Sequence, residues 1–220
     1  EMTKLTENAF RDVNIAFANE LSLIADTMGV NVWEVIRLAN RHPRVNILQP
    51  GPGVGGHCIA VDPWFLVHAD PAQTPLIRTA REVNDGKTEH VIAKATAHAE
   101  ANPTARIACL GLAFKANIDD FRESPALKAA VALAERYGDR VDVVEPYATA
   151  LPSVFEGTGA QLIDLDTAIE QCGLWVVLVD HDLFKSVPLD ERADKTVYDT
   201  RGIWPDQPRA SAATPIRLAS

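Results

Sequence analysis

The sequence predicts an α/β chain in two parts: an all-helical segment over residues 1–102, then a Rossmann-like, doubly wound parallel sheet over residues 103–205. Three observations carry this. Apolar residues in the first part recur at spacings of three and four, the period of a helix. Its one long irregular stretch, His42 to His57, is dense in Pro and Gly and reads as an ordered loop. After Pro103, short apolar runs alternate with helical stretches, the rhythm of strands covered by helices. Residues 206–220 are rich in Pro, Ala and Ser and are expected to be disordered.

The first helix is expected to bury a stripe of Phe10, Val13, Phe17, Leu21 and Ile24 and to end at Gly29. Lys4, Asn8 and Arg11 form a polar row on the same helix, and such a row is usually a solvated face. Glu1 opens the pattern without a cap, so the chain is expected to be a piece of a longer one. Val32 to Asn40 reads as a shorter helix. Thr74 and Pro75 supply a start signal for a helix that runs to about Asn102, with Ile77, Ala80, Val83, Val91, Ile92 and Ala95 as its apolar positions. Strands are expected at Arg106–Gly111, Arg140–Glu145, Leu174–Asp180 and Lys195–Asp199. Helices are expected at Pro125–Tyr137 and Asp166–Gln171.

Composition narrows the function. With 47% hydrophobic and 23% charged residues the chain is a folded one. Its net charge of −9 argues against nucleic acid and against anionic membrane surfaces. An anionic ligand would need a local basic pocket. No apolar run reaches the ~18 residues that span a bilayer. Cys58, Cys109 and Cys172 are spaced too widely for a zinc site, so no metal is expected, and they read as reduced cytoplasmic thiols.

Three places could hold chemistry. Gly51, Gly53 and Gly56 satisfy G-x-G-x-x-G, but that fingerprint must follow a strand and open a helix. Here the glycines serve close approach of the backbone instead. Cys58 ends that glycine loop, where amides can face an anion. A free thiol of pKa ~8.5 is mostly protonated at neutral pH, so nucleophilic work needs a nearby cation or base. Asp62, before Pro63, reads most simply as a helix N-cap. The third place is Phe114 to Pro125, at the carboxyl end of the first strand, where open α/β sheets bind ligands. There Ser124 and Pro125 open a helix whose amino end faces Lys115 and Arg122, which is either a phosphate site or a charged loop.

Three segments carry a resemblance: KLTENAFRDVNIAFANELS from Lys4, NVWEVIRLANRHPRVNILQPGPGVGGHCIAVDPWF from Asn31, and GLAFKANIDDFRESPA from Gly111. The chain resembles the central and C-terminal parts of the UDP-glucose/GDP-mannose dehydrogenases, NAD-dependent enzymes that oxidise a sugar-nucleotide alcohol twice. The resemblance implies a central helical homodimerisation domain and a UDP-sugar-binding domain, with UDP-N-acetyl-mannosamine as substrate. It implies that Cys58 is the nucleophile, that Lys4 and Asn8 stabilise charge on the C6 oxygen, and that Asp62 is a general base or orients water. It implies substrate contacts from Gly53, Gly55, Gly56, Phe114, Lys115 and Arg201, and from Arg44 across the dimer. Arg122 would reach NAD, which in the family is held mainly by a preceding Rossmann domain that this chain lacks. The chain alone is therefore expected not to turn over.

Two other readings stand beside this one. The chain could be a dimerisation and UDP-sugar-binding module without catalysis, or serve UDP-N-acetylglucosamine or UDP-glucose. A cysteine hydrolase would need His42, His57 or His68 as its base, and none has a distinctive context.

Overall fold

The computed structural model describes residues 1–205. The tail expected to be disordered lies outside the described residues. Helix α1 (Met2–Met28) is followed by α2 (Val32–Ala39), the long loop, α3 (Asp62–Ala69) and α4 (Pro75–Ala101). Gly29 ends α1 in the left-handed conformation, and the side chain of Asn31 caps α2 by accepting from Trp33 and Glu34. Thr74 stands at the start of α4, but its hydroxyl donates to the carbonyl of Asp70 (2.8 Å) rather than capping.

The buried face of α1 differs from the predicted stripe. Asn8, Ala9, Asp12, Ala16, Ala18, Asn19 and Ala25 face inward, whereas Phe10, Phe17 and Ile24 are 69%, 53% and 48% exposed. The reason is the partner surface. Helix α1 lies against α4, where buried Arg81, Asn84 and Lys87 need polar partners and small residues allow close approach. Phe10, Phe17 and Ile24 are left on the outer side, whereas Leu21 packs against Ala18, Ala25, Val32 and Ile36 and Val13 is half-buried. Arg11 also points outward, and Asp12 takes the place in the polar row that Arg11 was expected to share.

The second part begins with β1 (Arg106–Leu110), α5 (Pro125–Tyr137) and β2 (Val141–Val144). It continues with β3 (Gln161–Leu162), α6 (Leu165–Gln171), β4 (Cys172–Val177), α7 (Asp182–Lys185), α8 (Leu189–Arg192) and β5 (Thr196–Asp199). All strands pair in parallel in the order β3-β2-β1-β4-β5. Five strands form where four were predicted, because β3 is only two residues long. One face packs Ile107, Cys109, Val143, Leu174 and Val176 against α4 and α5. The other packs Ala108, Leu110, Trp175 and Val177 against Ala168 of α6, Phe184 and Trp204. Helices thus cover both faces, as a parallel sheet requires. Helix α4 serves both parts. Its first half meets α1, and Val91, Ala95 and Ala99 enter the core beneath the sheet.

Candidate active site

The strand order reverses between β1 and β4, and the crevice beyond their carboxyl ends is where such folds take ligands. That crevice is lined by Ala113, Phe114 and Lys115 after β1, by Val179 and Asp180 after β4, and by Arg201 after β5. Pro52 and Gly53 of the long loop close it, together with Pro125 and Ala126 at the start of α5. Ser124 caps α5 by accepting from the amide of Leu127 (3.2 Å), so the amino end of that helix is ordered toward the crevice. Arg201 is already held by Asp180, with Nε and Nη2 at 3.1 and 2.9 Å from Oδ1. Lys115 has no carboxylate partner among the described residues.

Glycine is required where the loop meets the sheet. A Cβ on Gly55 would lie 2.6 Å from the carbonyl oxygen of Glu123 and 2.9 Å from Cβ of Phe114. Gly56 has a φ of 83°, and a Cβ there would strike the Phe114 ring. The amide of Gly56 donates to the carbonyl of Arg122 (3.2 Å), which fastens the loop to the segment before α5.

The loop leads into Cys58, an exposed free thiol. The carbonyl of Cys58 accepts from the amides of Val61 and Asp62, at 3.1 and 2.7 Å, so the cysteine sits one turn ahead of α3. Asp62 does not cap that helix, contrary to the simplest reading. Val61 holds the cap position and Asp62 is the first helical residue. Its Oδ2 receives Asn8 Nδ2 at 2.7 Å and lies 3.4 Å from Lys4 Nζ. Lys4, Asn8 and Asp62 therefore converge, one helical turn from Cys58. Cys109 and Cys172 are buried, and loss of solvent pushes both thiols up to about 12.

Gly53, Phe114, Lys115 and Arg201 thus come together, with Gly55 and Gly56 against Phe114. Arg44 does not join them. It is exposed and absent from the crevice lining, and its amide donates to His42 Nδ1 (3.3 Å). Arg122 stands on the surface in a fork with Asp120, whose carboxyl the guanidinium lowers to about 2. It does not line the crevice.

Several buried polar residues escaped the sequence reading: Asp12, Asn19, Arg81, Asn84 and Thr88. The signal for two of them was present, since Asp12 and Asn19 continue the row of Lys4 and Asn8 at helical spacing. Nothing in the local pattern marks Glu145 and His181, which meet at 3.3 Å beneath the sheet's carboxyl edge. Their pairing bears on cofactor choice. Glu145 follows β2, where a dinucleotide-binding domain presents its ribose-binding acid. Here its carboxylate accepts from the amides of Leu112, Ala113 and Tyr147 and from His181. The connection from β1 to α5 has no glycine after Gly111. This sheet therefore does not fit a dinucleotide site of its own.

Among the described residues, no helix is long and apolar enough to cross a membrane. Residues 1–86 match the family model of the UDP-glucose/GDP-mannose dehydrogenase family, central domain. Residues 108–206 match that family's UDP binding domain. A UDP-N-acetyl-D-mannosamine dehydrogenase of Salmonella typhi is 58% identical over 212 residues, 93% of this chain and 50% of that protein. An NDP-N-acetyl-D-galactosaminuronic acid dehydrogenase of Ralstonia nicotianae is 55% identical over 204 residues, 93% and 48% of the two chains. The solved structure of a UDP-D-ManNAc dehydrogenase from Pyrococcus horikoshii superposes with a TM-score of 0.79 at 38% identity, covering 94% of this chain and 49% of that one. The chain spans about half the length of the curated relatives it matches.

Proposed function

The chain belongs to the UDP-glucose/GDP-mannose dehydrogenase family, and from that premise we propose that it is the substrate-holding, nucleophile-bearing part of a UDP-N-acetyl-mannosamine 6-dehydrogenase. The carrying observation is the convergence of Lys4 and Asn8 on Asp62, one turn after the exposed Cys58, at the end of a loop that closes the switch-point crevice.

On this reading the UDP moiety lies in the crevice. Lys115 and Arg201 meet its charge, Phe114 meets the nucleotide sugar, and the backbone at Gly53, Gly55 and Gly56 allows close approach. The C6 end of the sugar points to Cys58. NAD is the family's hydride acceptor, and we place it outside this chain except for a contact from Arg122. Once C6 is an aldehyde, Cys58 Sγ adds to it and the carbonyl oxygen becomes a thiohemiacetal oxygen. Lys4 Nζ and Asn8 Nδ2 stabilise the charge on that oxygen. Loss of a hydride leaves a thioester. Water cleaves it with help from Asp62, releasing the carboxylate and restoring the thiol. The three free cysteines fit a reducing cytoplasm. The exposed Phe10, Phe17 and Ile24 on α1 are assigned to a homodimer, in which Arg44 serves the second copy's substrate.

Thiol labelling tests the reading, because Cys109 and Cys172 are buried and protonated, so a maleimide reports on Cys58. Saturating UDP-N-acetyl-mannosamine is expected to slow labelling of the 220-residue chain at least fivefold, and UDP-glucose less. An unchanged labelling rate with UDP-N-acetyl-mannosamine would refute the site.

A further inference from the structure

Both ends of the loop that carries Cys58 are tied to one helix. Asn8 of α1 donates to Asp62 just past the loop (2.7 Å), and Asn19 of α1 accepts from the amide of Gly51 at its start (2.9 Å). Both asparagines are buried. Eleven residues of helix separate them, close to three turns and about 16 Å, so they share one face. Helix α1 therefore sets the spacing between the two ends of the loop.

Asn19 is not free to turn its amide. Its Nδ2 donates to Oδ1 of Asn84 on α4 (2.9 Å). Asn84 Nδ2 in turn donates to Oδ1 and to the backbone carbonyl of Asp12, at 2.8 and 3.1 Å. Asp12 Oδ1 also receives Arg81 Nη1 at 2.6 Å, so this oxygen acts only as an acceptor. The order follows from that one oxygen. Asp12 fixes which end of Asn84 is the donor, Asn84 fixes Asn19, and Asn19 then presents an oxygen to Gly51. Thr88 adds a second pin, its hydroxyl donating to the carbonyl of Pro52 (2.9 Å). The next residue, Gly53, borders the crevice of Lys115 and Arg201.

We propose that Asn19 and Asn84 are positioning residues for the UDP-sugar site, setting the place of the Gly51–Gly53 edge through a hydrogen-bond relay that starts at Asp12. The inference rests on the functional reading above. Neither side chain lines the crevice, and both act through the backbone of Gly51.

The test is calorimetric titration of the 220-residue chain with UDP. Asn19→Ala and Asn84→Asp are each expected to weaken UDP about tenfold, since a buried donor or acceptor loses its partner. The second puts a carboxylate against Asp12 Oδ1. The double variant Asp12→Asn with Asn84→Asp removes that repulsion: the new amide donates to the new carboxylate, which still accepts from Asn19 Nδ2. The donor to the backbone carbonyl of residue 12 is lost, and Arg81 Nη1 must take the amide oxygen. The double variant is expected to recover affinity to within about threefold of wild type. Ile36→Val, in the α1–α2 core, lowers the thermal midpoint and is expected to leave UDP affinity unchanged. Should Asn84→Asp not fold, Asn19→Ser carries the same comparison. Wild-type affinity in the folded Asn19 variants, or a loss that the double variant does not recover, would overturn the inference alone. No UDP uptake by the wild-type chain would overturn the functional reading, and this inference with it.

Discussion

Asp62 shows how a single side chain can be misread locally. Next to Pro63 it has every mark of a helix cap, yet its carboxylate turns to α1, where one oxygen accepts from Asn8 and forms an ion pair with Lys4. Only the packing of α1 on α3 makes that choice, and local spacing does not contain it. Asn8→Leu is expected to cost about 1–3 kcal/mol in urea unfolding, because Asp62 stays buried with only the exposed Lys4 as partner. A loss under about 0.5 kcal/mol would show that the pair is not formed. The two crevice cations also differ. Arg201 is paired with Asp180 before any ligand arrives, whereas Lys115 is not paired with a carboxylate among the described residues. Lys115→Ala is therefore expected to weaken UDP about tenfold in a titration and Arg201→Ala by less. The reverse order would contradict this account of the crevice.

At the scale of elements, legibility follows the strength of local signals. Helix α5 starts at Ser124-Pro125 and ends before Gly138 as the sequence reads, since cap, proline and glycine each act within one turn. Strand β3 was not legible, because two residues carry no period. On α1 the expected stripe fails at Phe10, Phe17 and Ile24, which face outward, and holds at Leu21. Period alone locates a stripe without saying which stripe meets a neighbour, and α4 offers α1 polar groups. One of these is Lys87, buried with its Nζ donating to Ser22 Oγ at 2.8 Å. Burial lowers this ammonium to about 8. The unfolded chain, titrating near 10.5, then holds more protons between those values, so this group makes stability rise as pH goes from about 8 to 10.5. Below about pH 8 the full penalty is present, on the order of 3 kcal/mol. Lys87→Met is expected to flatten that rise in urea unfolding at pH 7 and pH 9.5 and to gain stability mainly at the lower pH. Parallel pH profiles for the two proteins would contradict the shift.

Across the whole molecule, alternation of strand and helix announced a parallel sheet, but not the order β3-β2-β1-β4-β5 that opens the crevice between β1 and β4. Strand order depends on long-range pairing, which no window of sequence contains. The proposed homodimer belongs to this scale as well. Phe17→Glu, with Phe10→Glu beside it, is expected to halve the mass seen by analytical ultracentrifugation and leave helix content unchanged, and an unaltered mass would place the interface elsewhere. Helix α4 has a further consequence. A rod about 40 Å long, packed on α1 through buried Ala80, Arg81 and Asn84 at one end and set in the sheet's hydrophobic core by Ala95 and Ala99 at the other, transmits melting from either to its neighbour. The two lobes should lose structure in one calorimetric peak, and any bending that admits a ligand must find its pivot away from this shared axle.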